Sequence, residues 1–322
     1  SRHMVMFGGL QMIRQSNGFL ENYYSQIKNG SIIAGNELIM ELERLIADID
    51  GDKYLYDTTE ADIRMDFIEK CIKLTKSPWY GQPMRLMDWQ KAFISAIYGF
   101  KMLDESNRFQ RVLLLISRKN TKSQLSSALL LTDMIIGGTG RDIVCSSNDD
   151  NQADILYNAC DTMRLMIDPD SIDTWRNQKW IRCKLNDNKI FKLSDRTRNK
   201  EGRNIDIAVI DEVHEMRDNV IVKSIEQSQS LKNNPLLILI TTEGFVDGFL
   251  TNELIRARAI LRDEIEDLAS IRYLPWLYTQ DSEREIWEGN RENRLWMKSN
   301  PTLGIVKKWD YLEQQIDLAR QS

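Results

Sequence analysis

What most limits the fold is a set of short, almost purely apolar runs, each stopping at a cluster of polar residues. They occupy 111–116 (Arg-Val-Leu-Leu-Leu-Ile), 142–147 (Asp-Ile-Val-Cys-Ser-Ser), 205–210 (Ile-Asp-Ile-Ala-Val-Ile) and 236–240 (Leu-Leu-Ile-Leu-Ile), with a further strand-like stretch at 189–193. Runs this short and continuous read as strands covered on both faces. Between them the period lengthens. A helix is expected over 124–136, and another carries Ala153, Leu156, Tyr157, Cys160 and Met163. Strands alternating with helices specify an α/β protein with a mainly parallel sheet flanked by helices. Such sheets bind ligands beyond the carboxyl ends of their strands. The chemistry is therefore expected just after Ile116, Ile210 and Ile240.

The chain before this sheet reads differently. Ser1, Arg2, His3 and Met4 look like a cloning remnant, and residues 1–20 are expected to be tag and loose N-terminus. Ile33, Leu38, Leu42, Leu45, Ile46 and Ile49 recur at helical spacing, as do Ile63, Phe67, Cys71 and Leu74, with a turn at Asp50, Gly51 and Asp52. Residues 21–86 thus form a helical N-terminal segment. The tail from Asp281 is charged and helical, turning at Asn300, Pro301, Thr302, Leu303 and Gly304.

At 322 residues with 42% hydrophobic content, the chain has material for a sizeable core. Its 48 acidic against 43 basic residues give a net charge of −5, which argues against a free-standing protein that coats DNA non-specifically. A local basic loop or a ring of subunits could still grip DNA. No uncharged apolar run approaches the ~18–20 residues of a membrane span, so no membrane partner is expected. Cys71, Cys145, Cys160 and Cys183 lie far apart, and the histidines number only 2, so a zinc cluster is excluded and a reducing compartment fits best.

Three strand tips carry the chemistry. After the first apolar run come Ser117, Arg118, Lys119, Asn120, Thr121, Lys122 and Ser123. Against the phosphate-loop pattern G-x-x-x-x-G-K-[ST], Lys122 and Ser123 fall in place, while Ile116 and Thr121 stand at the two glycines. Read alone, the stretch fits either a phosphate loop or an ordinary basic strand-to-helix turn. If the loop needs positive φ at 121, threonine there costs roughly 1–2 kcal/mol. The second tip is Asp211 and Glu212: an aspartate placed to hold Mg²⁺ and a glutamate placed to orient water. His214 follows, with a structural hydrogen-bonding role favoured. The third tip is Thr241, Thr242, Glu243 and Gly244, whose hydroxyls could sense a γ-phosphate and pass its loss to a moving segment.

Taken in order, these residues resemble the large terminase subunit of tailed bacteriophages, an ATP-driven motor that packs DNA into proheads. Residues 24–35 are similar to that family's opening segment, and Met87, Asp88, Trp89 and Gln90 to its adenine motif. Residues 117–123 resemble its deviant phosphate loop, which carries an arginine where Arg118 stands. Asp211, Glu212, Val213 and His214 match its acidic motif, and 241–244 its coupling motif. Trp296 to Asn300 and Pro301, with Leu303 and Gly304, resemble a segment linking motor to nuclease. Thr121 departs from the family's usual glycine.

The resemblance implies a P-loop NTPase core of the ASCE type over 87–280 and a helical lid or linker over 281–322, leading toward a nuclease domain that this chain does not include. ATP hydrolysis without DNA cleavage is therefore expected. The implied roles are Gln90 on adenine with Trp89 beneath it, and 117–123 around the phosphates. Lys122 would face the β/γ oxygens, Ser123 and Asp211 would hold Mg²⁺, and Glu212 would act as the catalytic base. Arg118 would act in cis, and Arg196, Arg198 or Arg203 are candidates for an arginine acting in trans on a neighbouring subunit; their loop, with Lys200, could instead approach DNA phosphates. The implied partners are double-stranded DNA, a portal protein and a small terminase subunit. The chain would be monomeric alone and a homo-oligomeric ring when assembled, in the host bacterial cytoplasm at the portal vertex. Two alternatives stand beside this reading: a helicase-like ATPase, and a nucleotide-silent assembly or docking module.

Overall fold

The protein is described here from a computed structural model, which covers residues 18–193, 204–242 and 248–321. Four helices open the chain: α1 (Phe19–Lys28), α2 (Asn36–Asp50), α3 (Thr59–Cys71) and α4 (Asp88–Gly99). A small antiparallel pair, β1 (Leu55–Tyr56) and β2 (Phe100–Lys101), ties the end of α4 to the loop before α3. The main run follows as β3 (Arg111–Leu115), α5 (Lys122–Ile136), β4 (Asp142–Ser147), α6 (Asp150–Ile167), β5 (Thr174–Arg176), β6 (Trp180–Cys183), β7 (Lys189–Leu193) and β8 (Ile205–Asp211). Then come α7 (Val220–Ser228), β9 (Leu236–Thr241), α8 (Phe249–Leu261), α9 (Leu268–Ile271), β10 (Tyr273–Leu277), α10 (Glu283–Glu288) and α11 (Trp309–Arg320).

Eight strands form one sheet in the order β10-β3-β9-β8-β4-β7-β6-β5. The pairs from β10 to β7 are parallel, and only β7-β6 and β6-β5 are antiparallel. The expected mainly parallel sheet is therefore present. Strand periodicity divides the core in two. Val112, Leu114, Ile207, Val209, Ile238 and Ile240 point to the face covered by α1–α6, while Leu113, Leu115, Ala208, Ile210, Leu237 and Leu239 point to the face covered by α7 and α8. Both sets are buried, which is why each strand reads as a continuous apolar run.

Some elements differ from expectation. Helix α1 begins at Phe19 and buries Leu20 fully, so the boundary placed at residue 20 falls inside a helix. On α3 the buried face is Ala61, Arg64, Met65 and Ile68, whereas Ile63 is 57% exposed. An Arg64–Asp133 ion pair at 3.1 Å and the Tyr98 ring turn that face inward, a tertiary reason that overrides the apolar spacing. Strand β10 was not foreseen because Pro275 interrupts its run. As an edge strand, β10 needs to bond only β3 and tolerates the proline. Strands β5 and β6 escaped because charged and aromatic residues break their pattern. Among the described residues no helix is long and apolar enough to cross a membrane.

Candidate active site

The parallel register brings the strand tips level. Leu115 of β3 pairs with Thr241 of β9, Leu239 of β9 with Ile210 of β8, and Ser147 of β4 with Asp211 of β8. A strand thus lies between the one that ends in the basic loop and the one that ends in the acidic pair. All the tips point to one edge, beyond Ile116, Ile210 and Ile240, where the alternation of strands and helices placed the chemistry.

The basic loop turns sharply. Lys119 and Thr121 both have positive φ, 66° and 64°, and Thr121 sits at ψ 13° as the N-cap of α5. A β-branched residue in the left-handed region is strained. Thr121 gives α5 no side-chain cap, so the first N–H groups of that helix meet no side-chain oxygen from it, an arrangement suited to an anion. Its hydroxyl instead accepts from Gln90 Nε2 at 3.1 Å.

Across from the loop, Lys122 Nζ lies 2.8 Å from Glu212 Oε1, an ion pair with both side chains largely buried. Ser123 Oγ donates to Asp211 Oδ2 at 3.4 Å, and the Glu212 N–H to Asp211 Oδ1 at 2.9 Å. Burial pushes the Asp211 carboxyl up to about 6, the Glu212 charge adds to this, and Lys122 opposes it. Among the described residues no lysine or arginine pairs with Asp211. A buried carboxylate beside a hydroxyl, with its own cation drawn off to the next residue, fits a divalent ion. Glu212 also has positive φ, 54°, which aims its carboxylate back at the loop.

His214 joins the third tip. Its Nδ1 lies 3.2 Å from Glu212 Oε2 and 3.4 Å from the hydroxyls of both Thr241 and Thr242, while its N–H donates to Thr241 Oγ1 at 3.1 Å. Burial holds the imidazole below its usual range, so the neutral ring is favoured. Lys122, Asp211 and Thr242 are therefore linked within one contiguous cluster.

Three residues take places other than those expected of them. Asn120 is fully buried and all its polar contacts are internal. Its Nδ2 donates to the Ser117 carbonyl (3.0 Å) and the Asn300 Oδ1 (3.1 Å), while its Oδ1 accepts from Thr302 N (3.1 Å) and Oγ1 (2.7 Å). It braces the loop from below rather than facing a phosphate. Trp89 is 2% exposed and packs edge-on against Tyr278 at 5.7 Å, within the core. Gln90 is equally buried, with both ends of its amide engaged. Arg118 and Lys119 are exposed and make no ion pair among the described residues. Glu243, Gly244, Arg196, Arg198, Lys200 and Arg203 lie outside the described residues.

Sequence reading missed the floor of the site. Asn300 Oδ1 also accepts from Lys307 Nζ at 2.5 Å, and Ser117 N–H donates to the Ser299 carbonyl at 3.3 Å. Lys307 is 9% exposed, has no carboxylate partner among the described residues, and is pushed down to about 8 by burial. Ser147 supports the acidic tip by donating to the Asp211 carbonyl at 3.1 Å. The turn at 300–304 was legible; that it folds under the basic loop was not. Gly35, in the opening segment, packs against the chain just beyond the carboxyl end of β10. A Cβ there would stand 2.2 Å from the Thr279 carbonyl oxygen, so only glycine permits the approach.

The strand order and the strand–loop–helix formed by β3, the basic loop and α5 define a P-loop NTPase fold. The sequence profile described as "Terminase large subunit, ATPase domain" matches residues 88–257, just over half of the chain. The chain belongs to that family. It is 26% identical over 264 residues to the large terminase subunit of Enterobacteria phage HK97, covering 80% of this chain and 48% of that one. It is 23% identical over 293 residues to the terminase large subunit of Lactococcus phage p2, covering 84% and 50%. The crystal structure of the HK97 large terminase has the same fold, with a TM-score of 0.68 at 23% identity over 82% of this chain and 52% of that one. The chain thus spans about half the length of these relatives.

Proposed function

We propose that this chain is the ATP-hydrolysing motor of a phage DNA-packaging machine. The observation that supports it best is the cluster in which Lys122 meets Glu212, Ser123 meets Asp211, and His214 ties Glu212 to Thr241 and Thr242. One tip supplies cations and helix N–H groups for phosphates, the next supplies carboxylates, and the last supplies hydroxyls that can report on the outcome.

In this reading the backbone of 117–123 wraps the triphosphate and Lys122 leaves Glu212 for its β/γ oxygens. That exchange frees the glutamate to orient and deprotonate water for in-line attack. Ser123 and Asp211 would hold Mg²⁺, which supplies charge neutralisation at the phosphates. Arg118, exposed beside the loop, faces the γ-phosphate in cis. Arg196, Arg198 or Arg203 would act on a neighbouring subunit, a contribution worth ~10³–10⁵ in rate for such fingers. The segment 281–322 links the loop to whatever follows it in the longer relatives. Double-stranded DNA is the substrate that is moved. The portal and the small subunit are the docking partners, and a ring at the portal vertex in the host cytoplasm is the working assembly.

ATPase rate measured against protein concentration, with and without DNA and portal, tests this. A slow monomer that accelerates as the ring assembles is expected. A rate independent of assembly would reject the trans arginine, and absence of ATP binding would return the chain to a docking module.

A further inference from the structure

We propose that Gln90 is a positioning residue for the phosphate loop: its amide braces Thr121 in the left-handed conformation, so it governs grip on the triphosphate rather than choice of base. The inference rests on the nucleotide site proposed above and deepens it.

The geometry is explicit. Gln90 Oε1 accepts the backbone N–H of Met87, the N-cap of its own helix, at 3.0 Å, which fixes the side chain from behind. Its Nε2 then reaches across to Thr121 Oγ1 at 3.1 Å. The next residue toward the N-terminus, Trp89, is locked in the core against Tyr278. The first turn of α4 is therefore a rigid mount. A threonine persists at φ 64° only where its surroundings over-determine it. The hydroxyl makes no bond to α5, the helix it begins, so the hold comes from α4. Where a glycine would turn freely, this chain combines a strained residue with an external brace. Gln90 is 2% exposed, so a base seeking its second N–H or second lone pair would first have to displace the side chains that bury it.

Binding of ATP, GTP and inorganic tripolyphosphate, each with magnesium, to the 322-residue protein and its variants tests this. Gln90→Ala is expected to weaken all three by a similar factor, about tenfold, the equivalent of one hydrogen bond. Gln90→Met, which keeps the buried volume, is expected to give the same pattern. In a Thr121→Gly background, with neither strain nor hydroxyl, Gln90→Ala should cost less than about twofold. In a Thr121→Ser background it should still cost about tenfold, the non-additivity that marks a direct pair. The inference is overturned if Gln90→Ala or Gln90→Met weakens ATP while sparing GTP and tripolyphosphate, or if the loss is undiminished on Thr121→Gly. A parent protein that binds none of the three sinks the proposed function itself, an outcome separate from either.

Discussion

The two ends of the central sheet both bury charge, and they treat it differently. At the amino end, Arg111 opens β3 with a two-pronged bond to Glu253 (3.1 and 2.6 Å), a further pair with Glu226, and Tyr273 donating to the same Glu253 at 3.0 Å. Charges there are matched and donors have acceptors. At the carboxyl end, three residues within or beside the site stand at positive φ, and among the described residues no cation pairs with Asp211 and no carboxylate with Lys307. One end is finished by the chain alone. The other is left strained and unmatched, which is where a ligand has something to complete.

The largest effect expected at the unfinished end is on chemistry. Glu212→Gln should lower ATP turnover by about 10²–10⁴ while binding persists, since general-base groups contribute on that scale. A turnover assay paired with nucleotide titration reads this, and unchanged turnover would remove Glu212 from the mechanism. The matched end should respond in stability instead. Arg111→Ala leaves Glu253 buried without its cation and is expected to cost about 3–5 kcal/mol in denaturant unfolding. A loss under about 1 kcal/mol would show that the network is dispensable.

Lys307 offers a pH signature. Its folded pKa is lowered from 10.5 to about 8, so between those values the folded protein holds fewer protons than the unfolded chain, and stability climbs with pH across that window. The increment approaches about 3 kcal/mol at most. Unfolding profiles of Lys307→Met should lack that rise. If the two profiles run parallel, the ammonium is not buried as described. Smallest is Asn300→Ala, which takes an acceptor from both Asn120 and Lys307. A cost of about 1–3 kcal/mol is expected, with a raised KM for ATP because the loop loses its floor. An unaltered KM would confine Asn300 to a structural part.

Much of this contrast was legible in residues taken singly. The place of Lys122, Ser123, Asp211 and Glu212 beyond the ends of β3 and β8 was legible, because strand ends are marked locally by where apolar character stops. Asn120 was assigned to phosphate by its position in the same loop, yet its side chain turns inward to Thr302 and Asn300, partners 182 and 180 residues away. Nothing local distinguishes an asparagine that faces a ligand from one that faces the floor. Lys307 and Ser147 carried no signal at all, since their parts depend on what packs beside them. The α3 face was misread for the same reason: Arg64 is buried because Asp133 waits for it on another helix.

The sequence by itself determined the α/β class and the five strands β3, β4, β7, β8 and β9 with helices α5 and α6 between them, because period and apolar run length are properties of the chain over a few residues. Only the tertiary structure decided that Gln90 clasps Thr121, that Lys122 rests on Glu212, and that 299–307 lies beneath the loop. Those are contacts between segments far apart in sequence, and a hydrogen bond's partner is set by proximity in space, which residue identity alone does not encode.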